Sequence, residues 1–259
     1  MVIDILTIFP EFFTGPFDHG IVRRAREAGR LQIEVHDLRR FTSDRHRTVD
    51  DRPFGGEEGM VLKPEPFFRA AESLWEAGRP RGKVILLSAQ GRLFRQPKAV
   101  ALAQEEHLLL LCGRYEGVDE RVARYLADEE VSIGDFVLSG GELAAAVLAD
   151  SVARLLPGAL GNAASAVRES FFAPGRSGDV GLLDCPHYTR PARFREMEVP
   201  ETLLSGDHKR IKQWRRRQAL EKTWTNRPDL LSQTSLDAEQ QQWLAELEEG
   251  KELQEGKLK

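Results

Sequence analysis

Four leucines in a row, Leu108 to Leu111, constrain the fold more than any other stretch of the chain. A strand of that composition is apolar on both faces, so it belongs inside a sheet covered by helices on each side. Val2–Ile8, Leu31–Val35 and Val84–Leu87 are short, mostly aliphatic and bounded by polar or turn residues, which predicts further strands. Between and after them, Pro64–Ala77, Pro97–Glu106 and Glu142–Leu156 carry helical patterns. The first has proline near its start, and the last stops before Pro157-Gly158. Strands alternating with helices predict an α/β fold with a mainly parallel sheet.

The same features exclude several classes. The leucine run is far shorter than the roughly 20 apolar residues that cross a bilayer. Met1-Val2-Ile3-Asp4-Ile5 has an acid where a signal peptide would be apolar, so secreted and membrane readings fall away. Cys112 and Cys185 form neither a disulfide framework nor a CxxC knuckle, and they suit a reducing cytosol; the expected location is cytoplasmic. The 259 residues suffice for one large domain or two modest ones. Composition shifts after about residue 160. Gly161 to Gly181 is rich in small residues and proline without a hydrophobic period, which predicts a linker. Helical, charged patterns follow at His208–Trp224 and from Asp237 to about Leu253. The expected organisation is therefore an α/β domain over 1–160, a linker over 161–181 and a helical domain with an acidic tail over 182–259.

Five stretches carry candidate chemistry. Cys112-Gly113-Arg114-Tyr115-Glu116-Gly117 directly follows the leucine strand, and glycines at the carboxyl end of a parallel strand permit close backbone approach to a ligand. On its own the hexapeptide reads equally well as a tight strand–helix turn. Ile133-Gly134-Asp135-Phe136-Val137-Leu138-Ser139-Gly140-Gly141-Glu142 is a second glycine-bearing loop, whose Gly140-Gly141 backbone is expected to offer hydrogen bonds to a flat heterocycle. With Leu86-Leu87-Ser88-Ala89 it makes three strand-end loops of small residues, which favours a pocket. No GxGxxG or P-loop motif occurs, so dinucleotide and triphosphate binding lose their best support. Asp44 to Gly56 mixes acids and bases: its arginines and His46 suit phosphates and its acids base edges or cations, whereas the plain alternative is a solvated loop with internal ion pairs.

Lys plus Arg 37 against Asp plus Glu 41 gives −4, and that average conceals His208 to Arg217, with six formal positives and no acid in ten residues. Such a helix fits a phosphate backbone, with a solvated surface helix as the plain alternative; two apolar anchors, Ile211 and Trp214, make a weak membrane face. In Asp184-Cys185-Pro186-His187-Tyr188-Thr189-Arg190-Pro191, three candidate ligands lack a companion pair, so no metal site is assigned. His187, Tyr188 and Arg190 suit stacking on and bonding an unpaired nucleotide.

Taken together and in order, Asp44–Gly59, Cys112–Gly117, Ile133–Glu142 and Leu182–Pro191 closely resemble the bacterial tRNA (guanine-N1)-methyltransferases. These are SPOUT-type enzymes that methylate the guanosine immediately 3′ of the anticodon. The similarity runs from Phe9-Pro10 to about Leu231. It implies an α/β domain with a C-terminal trefoil knot, followed by a smaller all-helical domain that helps grip the tRNA anticodon stem-loop. It implies S-adenosyl-L-methionine as methyl donor, room for Mg2+, and a homodimer with the active site at the subunit interface.

By residue, the resemblance assigns Leu87, Ser88, Gly113, Tyr115, Glu116 and Gly117 to the donor, with Ile133, Gly134, Asp135, Phe136, Val137, Leu138, Gly140 and Gly141. Arg154 and Glu169 fall on the catalytic positions. His46, Asp50, Arg52, Arg114, Asp184, His187, Tyr188, Arg190 and Arg215 are the expected tRNA contacts. The chain departs from the family pattern in having Glu169 for the usual Asp, Ala89 for Pro, Leu86 for Tyr, and Phe54 and Glu57 for Tyr and Gly. A longer stretch over Phe172–Val180 reads as a flexible insertion. A ribosomal-RNA methyltransferase of the same class and a non-catalytic RNA-binding homologue are the alternatives.

Overall fold

The computed structural model describes residues 1–56, 58–159, 169–172 and 181–256, with side chains through 250. Glu57 and most of the expected linker, including the insertion over 173–180, lie outside the described residues. The chain divides into two compact units, Met1–Ala163 and Ala164–Lys259.

The first unit is built on a five-stranded, wholly parallel sheet of β1 (Val2–Thr7), β2 (Gln32–Asp37), β5 (Lys83–Leu93), β6 (His107–Cys112) and β7 (Glu129–Ser132), in the order β2-β1-β6-β5-β7. Because side chains alternate along a strand, the two faces feed separate cores. Ile3, Ile5, Ile85, Leu87, Leu108 and Leu110 pack with α5 (Glu142–Ala153), while Leu6, Val84, Leu86, Leu109 and Leu111 pack with α2 (Pro64–Glu76). Every residue of β6 is buried, as the leucine run requires. Smaller elements complete the unit: α1 (Gly20–Glu27), α3 (Gln96–Leu102), α4 (Glu120–Tyr125) and the antiparallel pair β3 (Asp50–Asp51) and β4 (Val61–Leu62).

Several expectations shift. β5 runs to Leu93 rather than stopping at Leu87, because its polar second half still pairs with β7. Leu87 and Arg92 both pair with Val131, so residues 88–91 arch out of the ladder between them. β7 escaped the pattern reading because Glu129-Glu130 break its apolar run at a sheet edge. α3 ends at Leu102 rather than Glu106, and α5 at Ala153 rather than Leu156.

The second unit contains α6 (Glu201–Leu204), α7 (His208–Asn226) and α8 (Ala238–Gly256), with a short hairpin of β8 (Arg193–Phe194) and β9 (Met197–Glu198). Asp207 caps α7 by accepting from Lys209 N and Arg210 N at 3.0 and 3.1 Å. Asp237 and Gln240 bond each other's backbone N–H reciprocally and start α8. Phe171 N donates to Leu182 O and Gly181 N to Phe171 O, so the described ends of the expected linker pair with one another. Among the described residues, no helix is long and apolar enough to cross a membrane.

Candidate active site at the strand ends

The carboxyl ends of adjacent parallel strands are where ligands sit in open α/β sheets. Here the ends of β5, β6 and β7 hold a cavity of about 230 Å³. Its walls are the three loops singled out in the sequence. Leu87 and Ser88 line it from β5, and Gly113, Arg114, Tyr115, Glu116 and Gly117 from β6. Ile133, Gly134, Phe136, Val137, Leu138, Gly140 and Gly141 line it from β7. Asp135 is exposed and does not line the cavity. Val131, Ser132 and Ala144 line it as well, and sequence reasoning missed them because nothing marks them apart from ordinary strand and helix residues.

The glycines also bring two backbone segments into contact. Gly141 N donates to Gly113 O at 3.0 Å, and Arg114 bridges Gly140, so the third loop runs back against the β6 loop. A Cβ on Gly141 would lie 2.8 Å from Cys112 Cα, and one on Gly140 would overlap the Arg114 side chain and the Glu142 carboxylate. These glycines let two backbone segments touch. The Gly141 N–H is consumed in that contact rather than offered to a heterocycle.

Two further sets of bonds fix the β6 loop. Leu62 N donates to Gly117 O, Glu116 N to Met60 O and Asp119 N to Leu62 O, at 2.9–3.0 Å. Underneath, Glu142 is 1% exposed and accepts from Thr7 Oγ1 at 2.7 Å and from Arg114 Nε at 3.1 Å. The Arg114 guanidinium also stands over the Phe9 ring at 4.5 Å. Arg114 was expected on tRNA; its Nε is committed to Glu142. Tyr115 adopts φ 61, a left-handed conformation costly for a bulky residue, and it faces the Asp50 carboxylate. Partial burial and Asp50 together raise the Tyr115 hydroxyl above its usual range. Burial beside Glu142 pushes the Cys112 thiol well up, so it is no nucleophile.

The remaining expected residues are distributed as follows. His46 and Arg52 are exposed on the charged stretch, where Asp44 accepts from Thr48 N and Oγ1. Arg154 follows the last turn of α5 and is half-buried. Glu169, in the second unit, is half-buried and its carbonyl accepts from Phe172 N. Asp184 accepts from Cys185 N at 2.7 Å and His187 Nε2 at 2.9 Å, and its own N donates to Ser170 Oγ. Burial works to raise the Asp184 carboxyl, but these bonds hold it below the usual value. The Asp184, Cys185 and His187 ligand atoms lie within 4.8 Å of one another, yet burial beside Asp184 raises the Cys185 thiol, which disfavours the thiolate a metal needs. Tyr188 is exposed, with its ring 6.3 Å from Trp214 on α7. Arg190 and Arg215 are exposed.

A family model described as tRNA (Guanine-1)-methyltransferase TrmD matches residues 1–233. A Koribacter versatilis (strain Ellin345) protein named tRNA (guanine-N(1)-)-methyltransferase is 57% identical over 264 aligned positions, covering 97% of this chain and 100% of that protein. Proteins of the same name from Bacillus cereus (strain AH820) and Bacillus anthracis (strain A0248) are each 49% identical over 251 positions, covering 97% of this chain and 100% of theirs.

Proposed function

Because the chain belongs to the tRNA (guanine-1)-methyltransferase family, we infer that it is an enzyme transferring a methyl group to N1 of a tRNA guanine, that of the guanosine 3′ of the anticodon. The observation that carries this reading is the convergence of three separate loops on one cavity at the ends of β5, β6 and β7. That cavity suits S-adenosyl-L-methionine: Leu86, Leu87, Ile133, Leu138 and Ala144 offer apolar contact to an adenine, and Ser88 and Glu116 offer polar groups. The bound donor supplies an electrophilic methyl on a sulfonium. The backward run of the β7 loop against the β6 loop supports a knotted path, as the resemblance implies.

Guanine N1 carries a proton at neutral pH and is a poor nucleophile until the proton leaves. Glu169 is the proposed base that accepts it, a role typically worth about 10²–10⁴-fold. The extra methylene relative to the usual Asp preserves the carboxylate and alters its reach. Loss of the proton drives negative charge onto the guanine carbonyl oxygen, which the permanently charged Arg154 guanidinium stabilises. No covalent intermediate is required, in keeping with the inert Cys112. His46, Asp50, Arg52, Asp184, His187, Tyr188, Arg190 and Arg215 contribute the tRNA contacts, and the enzyme works in the cytoplasm as a homodimer. Mg2+ is a further proposed component, and its chelation should then lower methyl transfer.

Methyl transfer from labelled donor to tRNA transcripts, with and without guanosine at the target position, tests the reading. Transfer only to the guanosine transcript is expected, and equal transfer to both would overturn it. Glu169→Ala should leave donor binding within about threefold and lower turnover by about 10²-fold or more; unchanged turnover removes Glu169 from its role.

A further inference from the structure

Residues 208–217 of α7 hold the densest positive charge in the chain, yet α8 already covers part of it. Arg216 donates to Asp237 and, at 2.5 Å, to Glu239; Arg217 donates to Glu246 at 3.0 Å, and Gln213 Nε2 to Glu239 at 2.9 Å. The Arg216 guanidinium also lies 5.6 Å from the Trp243 ring centroid, and Trp243 is 7% exposed, so α8 is docked through an apolar anchor as well as by charge. Paired carboxylates along a helix present to arginines what a phosphodiester strand would present: regularly spaced anionic oxygens. By contrast Lys209, Arg210, Lys212, Arg215 and Lys222 are exposed and make no ion pair among the described residues. At about 3.6 residues per turn, Arg215 and Lys222 fall on the side of α7 opposite the arc that α8 covers, with Lys212 between the two. α8 begins at Ala238, beyond the residues 1–233 that match the family model.

We propose that the carboxylates of Asp237, Glu239 and Glu246 compete with RNA phosphate for Arg216 and Arg217, leaving RNA on α7 to Lys209, Arg210, Lys212, Arg215 and Lys222. The proposal rests on the reading of the second unit as tRNA-binding. Competition of this kind lowers sequence-independent affinity, since each phosphate contact withheld removes one increment of counterion release. Binding then depends more on the contacts that recognise the substrate. α8 is a specificity element rather than only a structural brace. A brace and a competitor predict opposite signs when the acids are neutralised.

The test uses the full chain and binding of an unmodified tRNA transcript over a range of salt concentrations. The variant Asp237→Asn, Glu239→Gln, Glu246→Gln keeps the helix cap, because Asn caps as well as Asp. It should bind the transcript about tenfold tighter at low salt, with the salt slope steeper by about 1 to 2. Glu248→Gln with Glu249→Gln, exposed acids on the same helix, should change affinity less than about threefold. Arg216→Gln with Arg217→Gln should alter affinity less than about threefold, and in that background the triple acid change should no longer tighten binding. Unchanged or weaker binding by the triple variant, equal tightening by the Glu248/Glu249 control, or additivity in the cycle overturns the proposal. If the triple variant misfolds, a large loss of affinity in the Arg216/Arg217 variant alone overturns it. Methyl transfer measured on the same preparations separates the outcomes: its absence sinks the functional reading, whereas its presence with an additive cycle sinks only this inference.

Discussion

Asp4 lies in the middle of β1 with no exposed surface, between two histidines. His107 Nε2 stands 2.8 Å from one carboxylate oxygen, His36 Nε2 2.7 Å from the other, and Arg79 Nε within 3.3 Å. Burial alone would raise the carboxyl, but the bonds from His107 and His36 and the Arg79 charge outweigh it and lower it to about 2. A carboxyl depressed on folding contributes stability above its unfolded value and loses that contribution as pH falls toward the folded one. Here that is about 2 kcal/mol, lost between roughly pH 4 and pH 2. Asp4→Asn should cost about 3 kcal/mol in denaturant unfolding at pH 7, because the Arg79 charge and the histidines lose their partner; a cost near zero would show the network to be incidental. None of this is legible in sequence, since the partners stand 32 and 103 positions from Asp4. Gly141 is the converse case: the sequence marks it as special, but only the 2.8 Å approach to Cys112 Cα reveals why. Gly141→Ala should weaken S-adenosyl-L-methionine binding by tenfold or more in calorimetry, while the far-ultraviolet dichroism stays unchanged. Retained affinity would show that the crossing can relax.

At the scale of elements, strands buried on both sides were readable because composition alone reports them. After His107, β6 is apolar to its end, and no helix of four residues could bury such a run so completely. The edge strand β7 and the second half of β5 were not readable, since their pairing depends on partners rather than on pattern. α5 was readable as a helix, and its composition says something more. One side, with Ala145, Leu148, Ala149 and Val152, is fully buried, while Leu143 at 49% and Val147 at 43% remain exposed. Apolar side chains grouped in this way mark an interaction surface, which supports the proposed dimer. Val147→Asp should convert the dimer to monomer in sedimentation velocity and lower methyl transfer with it. A dimer that persists, or a fully active monomer, would contradict a shared site.

For the molecule as a whole, charge is arranged rather than abundant. The net value of −4 hides a basic helix and an acidic one that meet through Arg216 and Arg217 within the second unit. Both helices are legible in the sequence, but which cations of the first are paired is not, because side-chain pairing between helices is a property of the folded unit. The first unit is tied together over still longer spans: Glu142 joins Thr7 of β1 to Arg114 of the β6 loop, across 135 and 28 positions. A nascent chain can therefore pair β1 with β2 early, but it cannot lock the ligand cavity until residue 142 has cleared the ribosome and come back to meet residue 7. Long-separation contacts of this kind form late. Translation arrested short of that point should leave a partly protected sheet that retains no methyl donor, and release of a few dozen further residues should restore retention in a single step.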